Sequence, residues 1–175
     1  MSQTSRLGKQ LAEVLTALQE IGVQSALVGG LALSPHKVIR ATQDIDLLID
    51  QSDADLVEKA VTSLGYRCLH RSTDVGNYQR QDERLDFLYA SRPAARRLLV
   101  HAVELTTSLG SLRVISAEGL IGFKLQGYAN DPRRTQDIED IKALLRANRD
   151  ILNMAEVREY FKLFDQEPLL DELLR

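Results

Sequence analysis

Seven residues, DIDLLID at 44–50, constrain this chain more than any others. The run Leu47-Leu48-Ile49 has no polar interruption, which suits a short strand buried on both faces. Yet two carboxylates stand at its entrance. Side chains alternate along a strand, so Asp44 and Asp46 point to one face while Ile45 and Leu47 point to the other. Their Cα atoms then lie about 6.5–7 Å apart, a span over which two carboxylates can share one or two divalent cations. Without a cation between them, like charges fixed that close repel.

The surrounding pattern supplies a frame for that strand. Leu7, Leu11, Val14, Leu15 and Leu18 predict a helix over 5–21, and QSALVGG predicts a strand near 24–28 that runs into a glycine turn. LALSP opens a brief helix that Pro35 interrupts. Asp53 is expected to cap a helix that ends at Leu64-Gly65. YRCLHRS and RLDFLYA read as strands, the second near 84–90, with a turn and an edge strand in TDVGNYQRQDE between them. A helix at 93–100 precedes a hairpin turning at Gly110, and four more helices are expected near 117–129, 135–147, 154–163 and 166–174. The predicted class is α/β or α+β: a mixed sheet flanked by helices over 1–115, then a helical C-terminal cap over 116–175.

Composition excludes several functions. The 175 residues carry 22 Lys and Arg against 25 Asp and Glu, so a polyanion must be held locally or through metal ions. The single Cys68 rules out an internal disulfide framework and is expected as a buried thiol. No stretch reaches the roughly 18 apolar residues of a membrane span, and the N-terminus lacks a signal-peptide core. A cytoplasmic protein without membrane association is expected.

The acids acquire company from elsewhere in the chain. Asp86, inside LDFLY, repeats the alternation, since Leu85 and Phe87 face away from it. If its strand lies beside 44–50, three carboxylates converge, a hard-oxygen set suited to Mg²⁺. Gly29 and Gly30 come after one strand and precede a helix start, so their backbone N–H groups can approach phosphates. Arg40 can add a forked donor to the same triphosphate. In the first C-terminal helix, Lys124 occupies an inward stripe with Ala117, Leu120, Ile121 and Tyr128, where a leucine would be expected. Its ammonium either snorkels at a core edge or is aimed at a phosphate or the acids. Asp137 and Asp140 lie on the inner face of the next helix, where they can favour its N-terminus; Asp137 could instead orient Lys124 or Arg134.

Gly29-Gly30, thirteen intervening residues, Asp44-Ile45-Asp46 and the later Asp86 resemble the nucleotidyltransferase superfamily typified by DNA polymerase beta. RATQDIDLLI, which contains Thr42, and RRTQDIEDIKALL after Lys124 are similar to its small bacterial branch of AbiEii-type toxins and lincosamide-type enzymes. The resemblance spans roughly residues 22–147. It implies transfer of a nucleoside monophosphate from an NTP to an acceptor hydroxyl, the acceptor being a tRNA, a protein or a small molecule. By that likeness Asp44 and Asp46 hold two Mg²⁺ ions, and Asp86 holds one of them and assists the attacking hydroxyl. Gly29, Gly30, Arg40 and Lys124 contact the nucleotide, with Thr42 and Asp137 in support. Gly30 departs from the pattern, since many members have Ser there. The competing expectation is a non-catalytic version of the fold that binds a partner protein, as an antitoxin-like component would.

Overall fold

The structure is a computed structural model that describes residues 5–175. The described residues contain a seven-stranded mixed sheet and seven α-helices. The fold is α/β, and the chain divides into two compact units.

The first unit comprises the chain up to Leu31 together with Ala41–Ile115. It contains α1 (Arg6–Glu20), β1 (Ser25–Val28), β2 (Ile45–Asp50), α2 (Ala54–Ser63), β3 (Arg67–Arg71), β4 (Val75–Arg80), β5 (Glu83–Ala90), α3 (Pro93–Val100), β6 (Val103–Thr107) and β7 (Gly110–Val114). The sheet order is β3-β4-β5-β2-β1-β7-β6. β2 runs antiparallel to β1 and parallel to β5, so the strands expected near 24–28, 44–50 and 84–90 are neighbours. Ile45, Leu47, Leu48 and Ile49 are all buried, as a central strand covered on both faces requires. α1 brings Leu11, Val14 and Leu18 into the core and packs beside α2, which contributes Val57 and Val61. The buried Gln10 side chain on α1 donates to the Arg84 carbonyl of β5.

Three local expectations need correction. β4 is not an edge strand: it lies between β3 and β5, and β3 forms the margin. Every residue of β3 is exposed, so Cys68 is an exposed thiol and not a buried one. Asp53 precedes α2 without a side-chain cap; Asp50 instead accepts from the Ser52 N–H and hydroxyl and stabilises the 3-10 turn Gln51–Asp53.

The second unit comprises Ala32–Arg40 and Ser116–Arg175. The helix expected at LALSP is two short 3-10 turns, Gly30–Ala32 and Ser34–His36, and Pro35 lies inside the second. The helical run consists of α4 (Ala117–Asn130), α5 (Thr135–Ala147), α6 (Met154–Leu163) and α7 (Glu167–Leu173). Ser116 caps α4 by accepting from the Gly119 N–H, which fixes where that run begins. α4 packs against α5 and α6, and α7 packs on α6. Leu120, Ile121, Leu144, Val157, Phe161 and Leu170 fill the interior.

Candidate functional site

Two of the three predicted acids are direct neighbours. Parallel pairing of β2 with β5 sets Asp46 opposite Asp86, on strands that lie about 4.8 Å apart. Both side chains are half-buried. Asp44 precedes the first residue of β2 and is exposed, yet its charge reaches Asp86. Burial pushes the Asp86 carboxyl above its ordinary value; a hydrogen bond from Asn77 opposes the shift, and the Asp44 charge adds to it. Among the described residues, no group of three His, Cys, Asp or Glu side chains closes around a single point. The arrangement is therefore an acidic pair with a third carboxylate beside it, not a closed three-ligand cage.

The glycine turn is shaped around the same pair. Antiparallel pairing places Val28 opposite Asp46, so Gly29 sits at the strand end beside that carboxylate. Gly29 has φ 68°, and a Cβ built on it would lie within 2.7 Å of the Asp46 Cγ and closer still to Oδ2. Only a residue without a side chain lets the acid occupy that position. On Gly30, a Cβ would come within 3.0 Å of the Thr42 hydroxyl oxygen. Thr42 thus lies against the turn that the sequence linked to phosphates. Gly30 itself opens a three-residue 3-10 turn, not an α-helix.

The remaining predicted residues lie in the second unit. Lys124 is buried, and its Nζ stands 2.7 Å from Asp140 Oδ2 and 3.7 Å from Asp137 Oδ1. Arg40 pairs with the same Asp140 oxygen, and Gln136 donates to the other at 3.0 Å. Arg134 holds Asp137 at 2.6 Å. Three cations and two carboxylates form one network, with Asp140 at its centre. The two residues assigned to the nucleotide on charge, Arg40 and Lys124, share a counter-ion there. The helical stripe of α5 places Asp140 on the inner face, but nothing local reveals that it holds both cations.

Asn77 was not legible as a site residue. Its only sequence signal is an amide within a strand-like run, a position where Asn is uncommon.

Comparison with known proteins bears on the fold and the family. No curated protein matches the chain significantly in sequence. The solution structure of the antibiotic-resistance factor ANT(2'')-Ia is similar over 97% of this chain and 97% of its own, with a TM-score of 0.76 and 20% identity. The lincosamide antibiotic adenylyltransferase LnuA, lincomycin-bound, is similar over 82% of this chain and 97% of its own, with a TM-score of 0.59 and 20% identity. A putative nucleotidyltransferase from Thermotoga maritima covers 79% of this chain and 91% of its own, at a TM-score of 0.51 and 15% identity. At such identities the likeness is one of fold. Residues 1–171 match the family described as uncharacterised nucleotidyltransferase, and the chain belongs to that nucleotidyltransferase family.

Proposed function

We propose that the chain is a Mg²⁺-dependent enzyme that moves a nucleoside monophosphate from an NTP to a hydroxyl of a small-molecule acceptor. The observation that carries this reading is the pairing of Asp46 with Asp86 on parallel neighbours, with Asp44 within electrostatic reach. These donors suit the metal. Mg²⁺ takes one or two protein carboxylates and completes its shell with water and phosphate oxygens, so a three-residue cage is not required. Asp44 and Asp46 would hold two ions, and Asp86 would hold one of them. Held by these carboxylates, Mg²⁺ would supply charge neutralisation for the triphosphate and Lewis-acid polarisation of the phosphoryl group.

The protein's own groups do the rest. Asp86, set opposite Asp46 on the neighbouring strand, is the carboxylate assigned to receive the acceptor's proton. As the hydroxyl oxygen bonds to the α-phosphorus, the bond to pyrophosphate breaks and the hydroxyl proton passes to Asp86. Gly29 and Gly30 offer backbone to the phosphates, and Thr42 adds a hydroxyl beside them. Arg40 and Lys124 are assigned to the triphosphate on charge, with Asp137 supporting Lys124. Acceptor class is argued from the length-for-length likeness to the antibiotic-resistance factor ANT(2'')-Ia.

The test incubates labelled NTPs and Mg²⁺ with aminoglycoside and lincosamide antibiotics, tRNA and protein. Label is expected in a small molecule. Label in tRNA or protein would overturn the acceptor class and favour a toxin-type role. Asp46→Asn keeps the shape and removes the charge, so transfer should fall at least about a hundredfold with folding intact. If the wild-type chain binds no Mg²⁺-NTP and its melting does not respond to one, the non-catalytic, partner-binding alternative takes its place.

A further inference from the structure

One row of residues crosses five strands in register. Val28 faces Asp46, Asp46 faces Asp86, Asp86 faces Asn77, and Asn77 faces His70. Directly paired residues on neighbouring strands present their side chains to the same face. Within that row, Asn77 Nδ2 donates to Asp86 Oδ1 at 2.8 Å. An ionised carboxylate only accepts, so the amide must turn its nitrogen to Asp86. Nothing in the packing of β4 asks for an amide there. Its neighbours Gly76 and Tyr78 are buried opposite Phe87 and Leu85, while Asn77 itself is half-buried.

We propose that Asn77 is a positioning residue for nucleotidyl transfer: by holding Oδ1 of Asp86 it fixes that carboxylate's rotation and leaves Oδ2 to the ligand. The proposal rests on the reading of the Asp46–Asp86 pair as a metal site. A carboxylate on a strand rotates about two side-chain bonds, and a half-buried one without a partner can settle in more than one well. The Asn77 bond selects one. Outer partners of this kind typically change metal affinity or activity by about 10–100-fold when removed.

The experiment titrates the full chain with Mn²⁺ alone, following free Mn²⁺ by electron paramagnetic resonance. Asn77→Ala should weaken binding about tenfold, and Asn77→Gln, which keeps the donor on a longer arm, should recover most of the loss. In an Asp86→Ala background, Asn77→Ala should change affinity by less than about twofold, because its effect runs through Asp86. Equal losses in both backgrounds would show that Asn77 acts through the fold at large and would overturn the proposal. So would wild-type affinity in Asn77→Ala alongside a clear loss in Asp86→Ala, with the metal reading left standing. Unchanged Mn²⁺ binding in Asp86→Ala would remove the metal reading, and the proposal with it. Asn77→Ser, too short to reach Asp86, stands in if Asn77→Ala does not fold, and should lose as much.

Discussion

Gly29 leaves room for a carboxylate, and that single omission ties the glycine turn to the acidic pair. Its φ of 68° already disfavours a side chain, and an added Cβ would press on Asp46. Gly29→Ala should therefore cost about 1–2 kcal/mol for the left-handed backbone alone. For a chain of this size that lowers the melting temperature by about 2–8 °C, readable in a thermal melt. An unchanged melt would mean that turn and acid are not packed as described. Asp86 gives a second residue-scale expectation. A carboxyl whose folded pKa exceeds its unfolded value binds more protons folded than unfolded in the window between them. Stability therefore falls as pH rises from the ordinary value of 3.8 through the raised one, and the deficit persists above it. The groups acting on Asp86 are Asn77, Asp44 and Arg84, with Asp46 as its register partner. In a chelator, Asp86→Asn should melt above wild type at pH 7, with the gap closing below about pH 4. A wild type that melts higher at pH 7 would contradict this. At this scale Asp44, Asp46 and Asp86 were legible because charge interrupts an apolar alternation. Asn77 was not, because its partner is set by the pairing of two strands.

α4 shows what elements add to residues. It buries Ala117, Leu120, Ile121, Lys124 and Leu125, and the lysine is tolerated because α5 delivers Asp140 and Asp137 to it. Lys124→Met keeps the hydrocarbon stem and removes the charge. Asp140 then retains Arg40 and Gln136, and Asp137 retains Arg134, so the loss should sit at the low end for a broken buried pair, about 3 kcal/mol. A urea titration reads this as a lower midpoint at unchanged slope. A midpoint equal to wild type would show that the ammonium merely snorkels. Most helices were legible because their stripes and caps are local. β4 and Cys68 were misplaced because neither position is set locally. Gly76 and Asn77 weaken the strand pattern of β4, and Cys68 was expected inside only from the general habit of free cysteines to pack as small hydrophobes. Which strand becomes the margin depends on partners far along the chain, and β3 with its exposed thiol takes that place.

At the scale of the molecule, the chain passes from one unit to the other after Leu31, after Arg40 and after Ile115. Between the glycine turn and Asp-x-Asp, where the sequence predicts only a brief helix at LALSP, Ala32–Arg40 groups with the C-terminal helices. Asn148, at the end of α5, donates to the His36 carbonyl at 2.9 Å and to the Leu144 carbonyl at 3.1 Å. Arg40 pairs with Asp140. The His36–Asn148 and Arg40–Asp140 pairs are 112 and 100 positions apart, beyond the reach of any periodicity. Cutting the chain at Ser116 would therefore not leave a self-contained first half, because Ala32–Arg40 would lose the helices it belongs with. Leu33 and Val38 are buried in the intact chain, and burying such side chains contributes about 1.5–3 kcal/mol each. Tryptic cleavage tracks the population of locally opened chain when closing is fast, and each 1.4 kcal/mol changes that population about tenfold. A fragment of residues 1–115 should then be cut after Lys37 or Arg40 at least about ten times faster than the intact protein. In the intact chain, Asn148→Ala removes the hydrogen bond that Asn148 gives the His36 carbonyl, a net loss of about 0.5–1.5 kcal/mol, so cleavage at the same bonds should rise by a smaller factor. Equal rates in the intact protein, the variant and the fragment would mean that the segment between Leu31 and Ala41 is an independent loop, and that α5 does nothing to hold it.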